Sequence, residues 1–262
     1  MKYKADKRDV WDEHWTELNE ITEVNPAQHY RHRLLARMIE YCLKQRPEIN
    51  SVFDFGSGQG DLVQMLGKGA PGCQYYGLEL SQVGVDISSK KYPQAHFFKC
   101  NLLDPNSQLP DLFGKAQLGI CSEVLEHIDE PAIALTAIRR YLAPGAQIII
   151  TVPGGPINEF EKSIGHRMHY NKAQLAALLE AGGLRPVKFV RAGFPFFNCY
   201  KLMALARGKK LLQDTSSGSS GDASGSRWLM MMVLNVFEYL FRLNLDNSPF
   251  GWQMMVIAEN PA

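Results

Sequence analysis

The 262 residues are enough to bury one large core, or a core with an appendage, and the 45% hydrophobic and 21% charged fractions are ordinary for a globular protein. A net charge of +1 gives no global field toward nucleic acid or anionic lipid, so nucleic acid is not the expected partner. The five cysteines are scattered and form no C-x-x-C pair, the start lacks an apolar signal core, and no apolar run approaches the ~18 residues of a membrane span; the expectation is a cytoplasmic protein.

Residues 6–46 read as helical, with Trp11, Trp15, Leu18 and Ile21 at mixed three- and four-residue spacings; Asn25-Pro26 breaks the segment and a second helix runs from about 27 to 44. From Ser51 onward strands and helices alternate. Strands are predicted at 52–55, 74–78, 96–100, 117–121, 147–152 and 186–190, and helices near 61–66, 82–91, 132–142 and 172–181. This alternation predicts an α/β fold, a seven-stranded, mostly parallel sheet with helices on both faces, whose ligands sit at the carboxyl ends of the strands. Residues 194–212 are apolar and then basic, 215–226 are too rich in Gly and Ser to bury a core, and 228–243 form an apolar helix with Asn235, Glu238 and Arg242 on one polar stripe. A last strand is predicted at 252–258. The chain thus divides into a helical cap (1–46), a ligand-binding core (47–193), a helical insertion (194–250, with a loop at 213–226) and a final core strand (251–262).

The run Ser51-Val-Phe-Asp-Phe-Gly-Ser-Gly-Gln-Gly60 places three glycines between the first strand and its helix, where a ligand can approach the main chain closely. Nineteen residues past Gly60, the second strand ends at Glu79, and a carboxylate there can accept from both hydroxyls of a ribose. The dinucleotide fingerprint G-x-G-x-x-G does not fit. The third glycine comes one position early, and Asp61 would repel a diphosphate at the helix start. Asp54 adds a second acid two residues before the turn, suited to a ligand with a cationic amino group.

D-x-G-x-G-x-G followed by an acid at the next strand end resembles the class I S-adenosylmethionine-dependent methyltransferases. Cys121-Ser-Glu-Val-Leu-Glu-His-Ile128, Leu142-Ala-Pro-Gly-Ala146 and Ile148-Ile-Ile-Thr-Val-Pro153 are similar to further segments of that family, and the resemblance spans about 52–184. It implies a Rossmann-like fold and S-adenosyl-L-methionine as cofactor. The implied cofactor-binding residues are Asp54, Gly56, Ser57, Gly58, Gly60, Glu79, Leu80, Asn101, Leu102 and Glu123. Arg31, near a helix expected beside the glycine turn, fits either a pair with the cofactor carboxylate or plain surface solvation. Two positions depart from the pattern: Asn101 stands where many members carry Asp, and Ala146 replaces a glycine.

Members that methylate adenine or glutamine amino groups carry an Asn/Asp-Pro-Pro-Tyr/Phe tetrad after the fourth strand. This chain has Ser122-Glu123-Val124-Leu125, which favours a hydroxyl acceptor. A neutral hydroxyl needs a group to take its proton, and histidine suits that near neutral pH. His166, His169 and His127 are the candidates, in that order, with loop ordering as their bland alternative. Glu123, Glu126 and His127 form an E-x-x-E-H cluster that two later histidines could complete as a metal site; it resembles the magnesium-binding arrangement of small-RNA 2′-O-methyltransferases and some quinone-pathway enzymes, and Glu126 and His127 also fit a helix cap with no metal. Trp11 and Trp15 fit either a cover over the ligand or the packing of a cap helix.

Six of the ten methionines lie after residue 200, and methionine suits adaptable apolar surfaces. The late segment, with Lys209 and Lys210 beside it, fits a lid for a hydrophobic or lipid-linked acceptor with peripheral membrane contact, and equally fits packing on the sheet or in a homodimer. The functional expectation is methyl transfer from S-adenosylmethionine to a hydroxyl of a small or hydrophobic acceptor, glycolipid- or quinone-like. A metal-dependent RNA 2′-O-methyltransferase and a non-catalytic S-adenosylmethionine-binding module are the alternatives.

Overall fold

The computed structural model describes residues 11, 12, 15, 25–69, 72–216, 232 and 234–262. Leu18, Ile21, the segment 217–231 and Val233 lie outside the described residues, as does most of the expected first cap helix.

The chain forms α1 (Pro26–Gln45), β1 (Ser51–Phe55), α2 (Asp61–Gly69), β2 (Gln74–Glu79), α3 (Gln82–Lys91), β3 (His96–Lys99), β4 (Ala116–Ser122), α4 (Pro131–Tyr141), β5 (Leu142–Pro153), α5 (Glu159–Ser163), α6 (Lys172–Ala181), β6 (Arg185–Ala192), α7 (Phe196–Ser216) and β7 (Gln253–Glu259). Local chemistry explains the boundaries. Asn25 caps α1 through its side chain to the Ala27 amide at 3.0 Å, with Pro26 at the first helical position, where its missing N–H is harmless. Asn171 and Gln174 form a reciprocal capping box at the start of α6.

The seven strands run in the order β3-β2-β1-β4-β5-β7-β6. The ladders β1–β2, β1–β4, β2–β3 and β4–β5 are parallel, while β7 is antiparallel to both of its neighbours, β5 and β6. The last strand therefore returns to the sheet as expected and wedges between two strands that precede it. The order reverses between β1 and β4, so the ends of those strands diverge and leave a crevice.

Alternation along β1 feeds two cores. Phe53 and Phe55 point into a cluster with Leu135, Ile138 and Tyr141 of α4 and Leu175 and Leu179 of α6. Val52 joins the opposite cluster with Leu34, Leu35 and Ile39 of α1, Leu62 and Leu66 of α2, and Phe197, Phe237 and Phe241 of the insertion. Each such fully buried side chain contributes roughly 1.5–3 kcal/mol. The insertion therefore contributes three aromatic rings to the core on the α1 face. Glu238, on the polar stripe of the late helix, pairs with Arg33 and His29 of α1, and Asp246 pairs with Arg37 at 2.7 Å.

One boundary needs correcting. The loop expected from 213 begins later, because α7 runs through 213–216 to Ser216. Once a long helix is nucleated, each further residue adds a backbone bond for two fixed dihedrals, so polar residues are carried into its last turn. Among the described residues, no helix is long and apolar enough to cross a membrane.

Candidate active site

The glycine turn after β1 adopts left-handed backbone at Gly56 (φ +81°) and Gly58 (φ +53°), and the two do different work. A Cβ on Gly56 would lie 2.4 Å from Val124 Cγ2, so this glycine lets the loop after β4 pack on the turn. A Cβ on Gly58 would lie 2.8 Å from the Trp15 ring. Gly60 faces Phe97, Ser88 and Tyr92 instead. Each of the three glycines thus lets a different neighbour approach the turn closely.

Glu79 is buried at the end of β2 and turns its carboxylate back to that turn. It accepts from the Gly58 amide at 2.8 Å and the Ser81 amide at 2.9 Å, while burial pushes its pKa up against the pull of those donors. Asp54 accepts from the Tyr75 hydroxyl at 2.6 Å, and burial pushes it to about 7. Ser57 Oγ and Gln59 Nε2, both buried in the turn, have no hydrogen-bond partner among the described residues, which marks the turn as built to receive polar atoms. Leu80 is exposed beside them, whereas Leu102 is buried. Asn101 Oδ1 accepts from the Leu103 amide at 2.9 Å, an Asx turn that leaves its second lone pair and its amide donors.

Trp11, Asp12 and Trp15 lie over this half. Trp15 covers Gly58 and Gly84, Asp12 Oδ1 accepts from Ser81 Oγ at 2.5 Å, and Trp11 meets His127 edge-on at 4.9 Å between ring centroids.

The other half is built at the ends of β4 and β5. Glu123 is the one described non-glycine residue with positive φ (+56°), a conformation that costs about 1–3 kcal/mol and is held by its surroundings. Its Oε1 accepts from Thr151 Oγ1 at 3.0 Å and Gln253 Nε2 at 2.8 Å, and its Oε2 lies 3.6 Å from Arg31 Nε. The residues after Glu123 form a 3-10 turn, Leu125–His127, which buries Glu126 completely. Neither Glu126 oxygen has a hydrogen-bond partner among the described residues, and burial, with Glu123 close by, raises its pKa well above the usual carboxylate range.

The loop after β5 is pinned to that turn by the Arg167 amide on the Glu126 carbonyl (2.7 Å) and the Tyr170 hydroxyl on the Leu125 carbonyl (3.1 Å). It brings His166 Nδ1 to 3.0 Å from His169 Nε2, His169 Nδ1 to 3.1 Å from the Gly155 carbonyl, and the His166 ring to 4.6 Å from that of His127. The three histidines singled out in the sequence therefore meet in one wall. Burial is the main reason that the His166 pKa falls to about 2 and that of His169 is lowered.

Two residues of this wall escaped the sequence reading. Lys201 of α7 is buried, with Nζ 2.9 Å from Glu161 Oε1 and 3.3 Å from the Gly154 carbonyl. Nothing in a locally apolar and basic stretch marks that lysine. Glu161 was findable, because Asn158-x-x-Glu161 is a reciprocal cap: each side chain accepts the other's amide, at 2.8 and 2.9 Å.

The family described as "Methyltransferase domain" matches residues 27–188. Among curated proteins, a malonyl-[acyl-carrier protein] O-methyltransferase of Alcanivorax borkumensis is 25% identical over 86% of this chain and 80% of its own. Among solved structures, the complex of the Haloferax volcanii Trm112 methyltransferase activator with a putative methyltransferase is similar over 98% of this chain and 97% of that one, at 17% identity and TM-score 0.58. The [4+2]-cyclase SpnF is similar over 87% and 82%, at 16% identity and TM-score 0.54. Such distant likenesses show the fold alone, and that fold serves more than one chemistry. The family match covers the glycine turn, the acid at the end of β2 and the loops after β4 and β5, and the chain belongs to the class I S-adenosylmethionine-dependent methyltransferases.

Proposed function

We propose that the protein transfers the methyl group of S-adenosylmethionine to a hydroxyl oxygen of a small or lipid-linked acceptor, with the cofactor along the β1–β2 half and the acceptor against the histidine wall. In this reading Glu79 takes the ribose hydroxyls, Asp54, Gly56, Ser57, Gly58 and Gly60 surround the methionine part, and Leu80, Asn101 and Leu102 border the adenine. Asp54 answers the cationic amino group of the cofactor. Arg31 and Glu123, paired with each other, close the methionine end and separate the two halves.

The observation that carries the acceptor assignment is the meeting of His127, His166 and His169 beside the end of β4, with no amide-binding tetrad there. Transfer breaks the S–CH3 bond and forms the O–CH3 bond in line; the hydroxyl proton passes to an imidazole nitrogen and then to solvent, and S-adenosylhomocysteine leaves as a neutral thioether. His166 stays unprotonated throughout the physiological range, yet its low pKa gives it little pull on a proton. The hydroxyl must therefore be acidic itself or be acidified in place. The divalent cation expected from the E-x-x-E-H cluster would serve that purpose from the same wall.

A name ending in O-methyltransferase on the Alcanivorax relative supports oxygen as the acceptor atom. A hydrophobic acceptor is supported by Met232, Val236, Tyr239 and Leu243, which stand exposed at helical spacing on the insertion. The test is methyl-labelled S-adenosylmethionine with panels of phenolic, sugar and lipid-linked hydroxyl acceptors, run beside amine and carboxylate analogues. Label recovered in a methyl ether supports the reading, and label found only on nitrogen or carbon overturns it.

A further inference from the structure

Glu126 carries an unmet requirement. It is fully buried, and both carboxylate oxygens lack a hydrogen-bond partner among the described residues. A buried polar group in that state costs about 1–3 kcal/mol, more if charged, and native proteins retain one where a ligand or ion completes it. One Glu126 oxygen, one His127 ring nitrogen and one His166 ring nitrogen lie within 4.8 Å of one another.

The hydrogen bonds of the loop fix which nitrogen His166 offers. The Gly155 carbonyl can only accept, so His169 Nδ1 carries a hydrogen and donates to it across 3.1 Å. Neutral His169 then has a bare Nε2, and His166 Nδ1 must donate to it across 3.0 Å. That leaves His166 Nε2 with its lone pair free. A second imidazole anchored to a main-chain carbonyl is the kind of outer support that orients a metal-ligating histidine.

We propose that Glu126, His127 and His166 form a binding site for a divalent cation of the first transition series, with His169 as the positioning residue that fixes the ligating nitrogen of His166. The donor set decides the class of metal. Magnesium prefers a near-octahedral shell of oxygens and keeps several waters, whereas two imidazoles and one carboxylate suit zinc, cobalt, iron or manganese. This replaces the magnesium that the E-x-x-E-H resemblance brings in. The nearby cations do not pre-empt the site: Arg31 lies against Glu123, and Lys201 against Glu161. Three protein ligands leave a position for an acceptor oxygen, and with His127 and His166 holding the metal the acidified hydroxyl gives its proton to solvent rather than to an imidazole. That use rests on the O-methyl reading; binding of the metal alone does not.

The experiment titrates the full chain, stripped with chelator and dialysed, with Co2+ alone, followed by visible absorption. The expected result is one Co2+ per chain with ligand-field bands, displaced by Zn2+ but not by millimolar Mg2+. Glu126→Gln and His166→Ala should each lose about 100-fold or more in affinity. His169→Ala should keep one Co2+ per chain, shift the bands and weaken binding about 10-fold. Calorimetry with S-adenosylhomocysteine shows that each variant is folded, and if Glu126→Gln fails that check, His166→Ala carries the comparison. No stoichiometric Co2+ or Zn2+ binding by the wild type overturns the proposal, as does unchanged Co2+ affinity in a folded ligand variant. Displacement of Co2+ by equimolar Mg2+ overturns the assignment to the transition series. Failure of every hydroxyl acceptor would instead sink the O-methyl reading and leave the metal titration untouched.

Discussion

The two halves of the active site are held by different forces. On the cofactor side, the acids are buried but answered: Glu79 by two main-chain amides and Asp54 by a tyrosine hydroxyl. These partners come from neighbouring parallel strands and the turns that follow them, so the half is nearly self-contained. On the acceptor side, Glu126 is buried with no hydrogen-bond partner among the described residues, and Glu123 and Glu161 are satisfied by side chains far away in sequence: Gln253 and Arg31 for the first, Lys201 for the second. Main-chain donors thus hold Glu79 at one end of the crevice, while long-range side-chain partners hold Glu123 and Glu161 at the other.

That contrast predicts separable losses. The largest is expected for Lys201→Met. Removing one partner of a buried ion pair leaves Glu161 uncompensated and costs about 3 kcal/mol. Urea unfolding should show that loss while the S-adenosylhomocysteine affinity of the native protein stays within twofold. A matching loss of cofactor affinity would mean that the halves are one unit. Glu79→Ala should do the reverse, weakening S-adenosylhomocysteine about 100-fold by calorimetry, since hydrogen bonds to a charged group are worth about 1.5–3 kcal/mol each. Affinity within threefold of wild type would remove Glu79 from the ribose site.

Asp54 sharpens the comparison through pH. Its folded pKa of about 7 lies above the ordinary 3.8, so its protonated form is favoured in the free protein, and its contribution to stability fades as pH rises from about 4 through 7. A cationic cofactor amine favours the ionised form, so binding should release a proton. Affinity should be about tenfold weaker at pH 6 than at pH 8, and Asp54→Asn should flatten that profile. A flat wild-type profile would exclude Asp54 from the amine. The smallest effect belongs to Gly58→Ala: left-handed backbone and the Trp15 ring should together cost about 1–2 kcal/mol, read as a lower melting temperature. The same change at Gly56 should cost more, because Val124 there is packed into the core rather than lying in the cap.

Much of the nucleoside half was legible because its signals are local. The helices at 82–91 and 172–181 were readable to the residue, since Ser81 and Asn171 are side-chain caps that the sequence displays. The strand at Ser51–Phe55, the glycine turn after it and the acid closing the second strand at Glu79 were readable too, because strand periodicity and glycine chemistry act within a few residues. Tertiary structure decided the rest. Only the packed molecule shows that Val124 packs where a Gly56 side chain would stand, that Arg31 faces Glu123, and that β7 wedges between β5 and β6 to deliver Gln253. Only the packed molecule closes Lys201 on Glu161, buries Glu126 with no hydrogen-bond partner among the described residues, and turns three histidines of two loops into one wall. Those contacts join residues tens of positions apart, and their geometry is set by how sheet and helices pack, which no local pattern of side chains encodes.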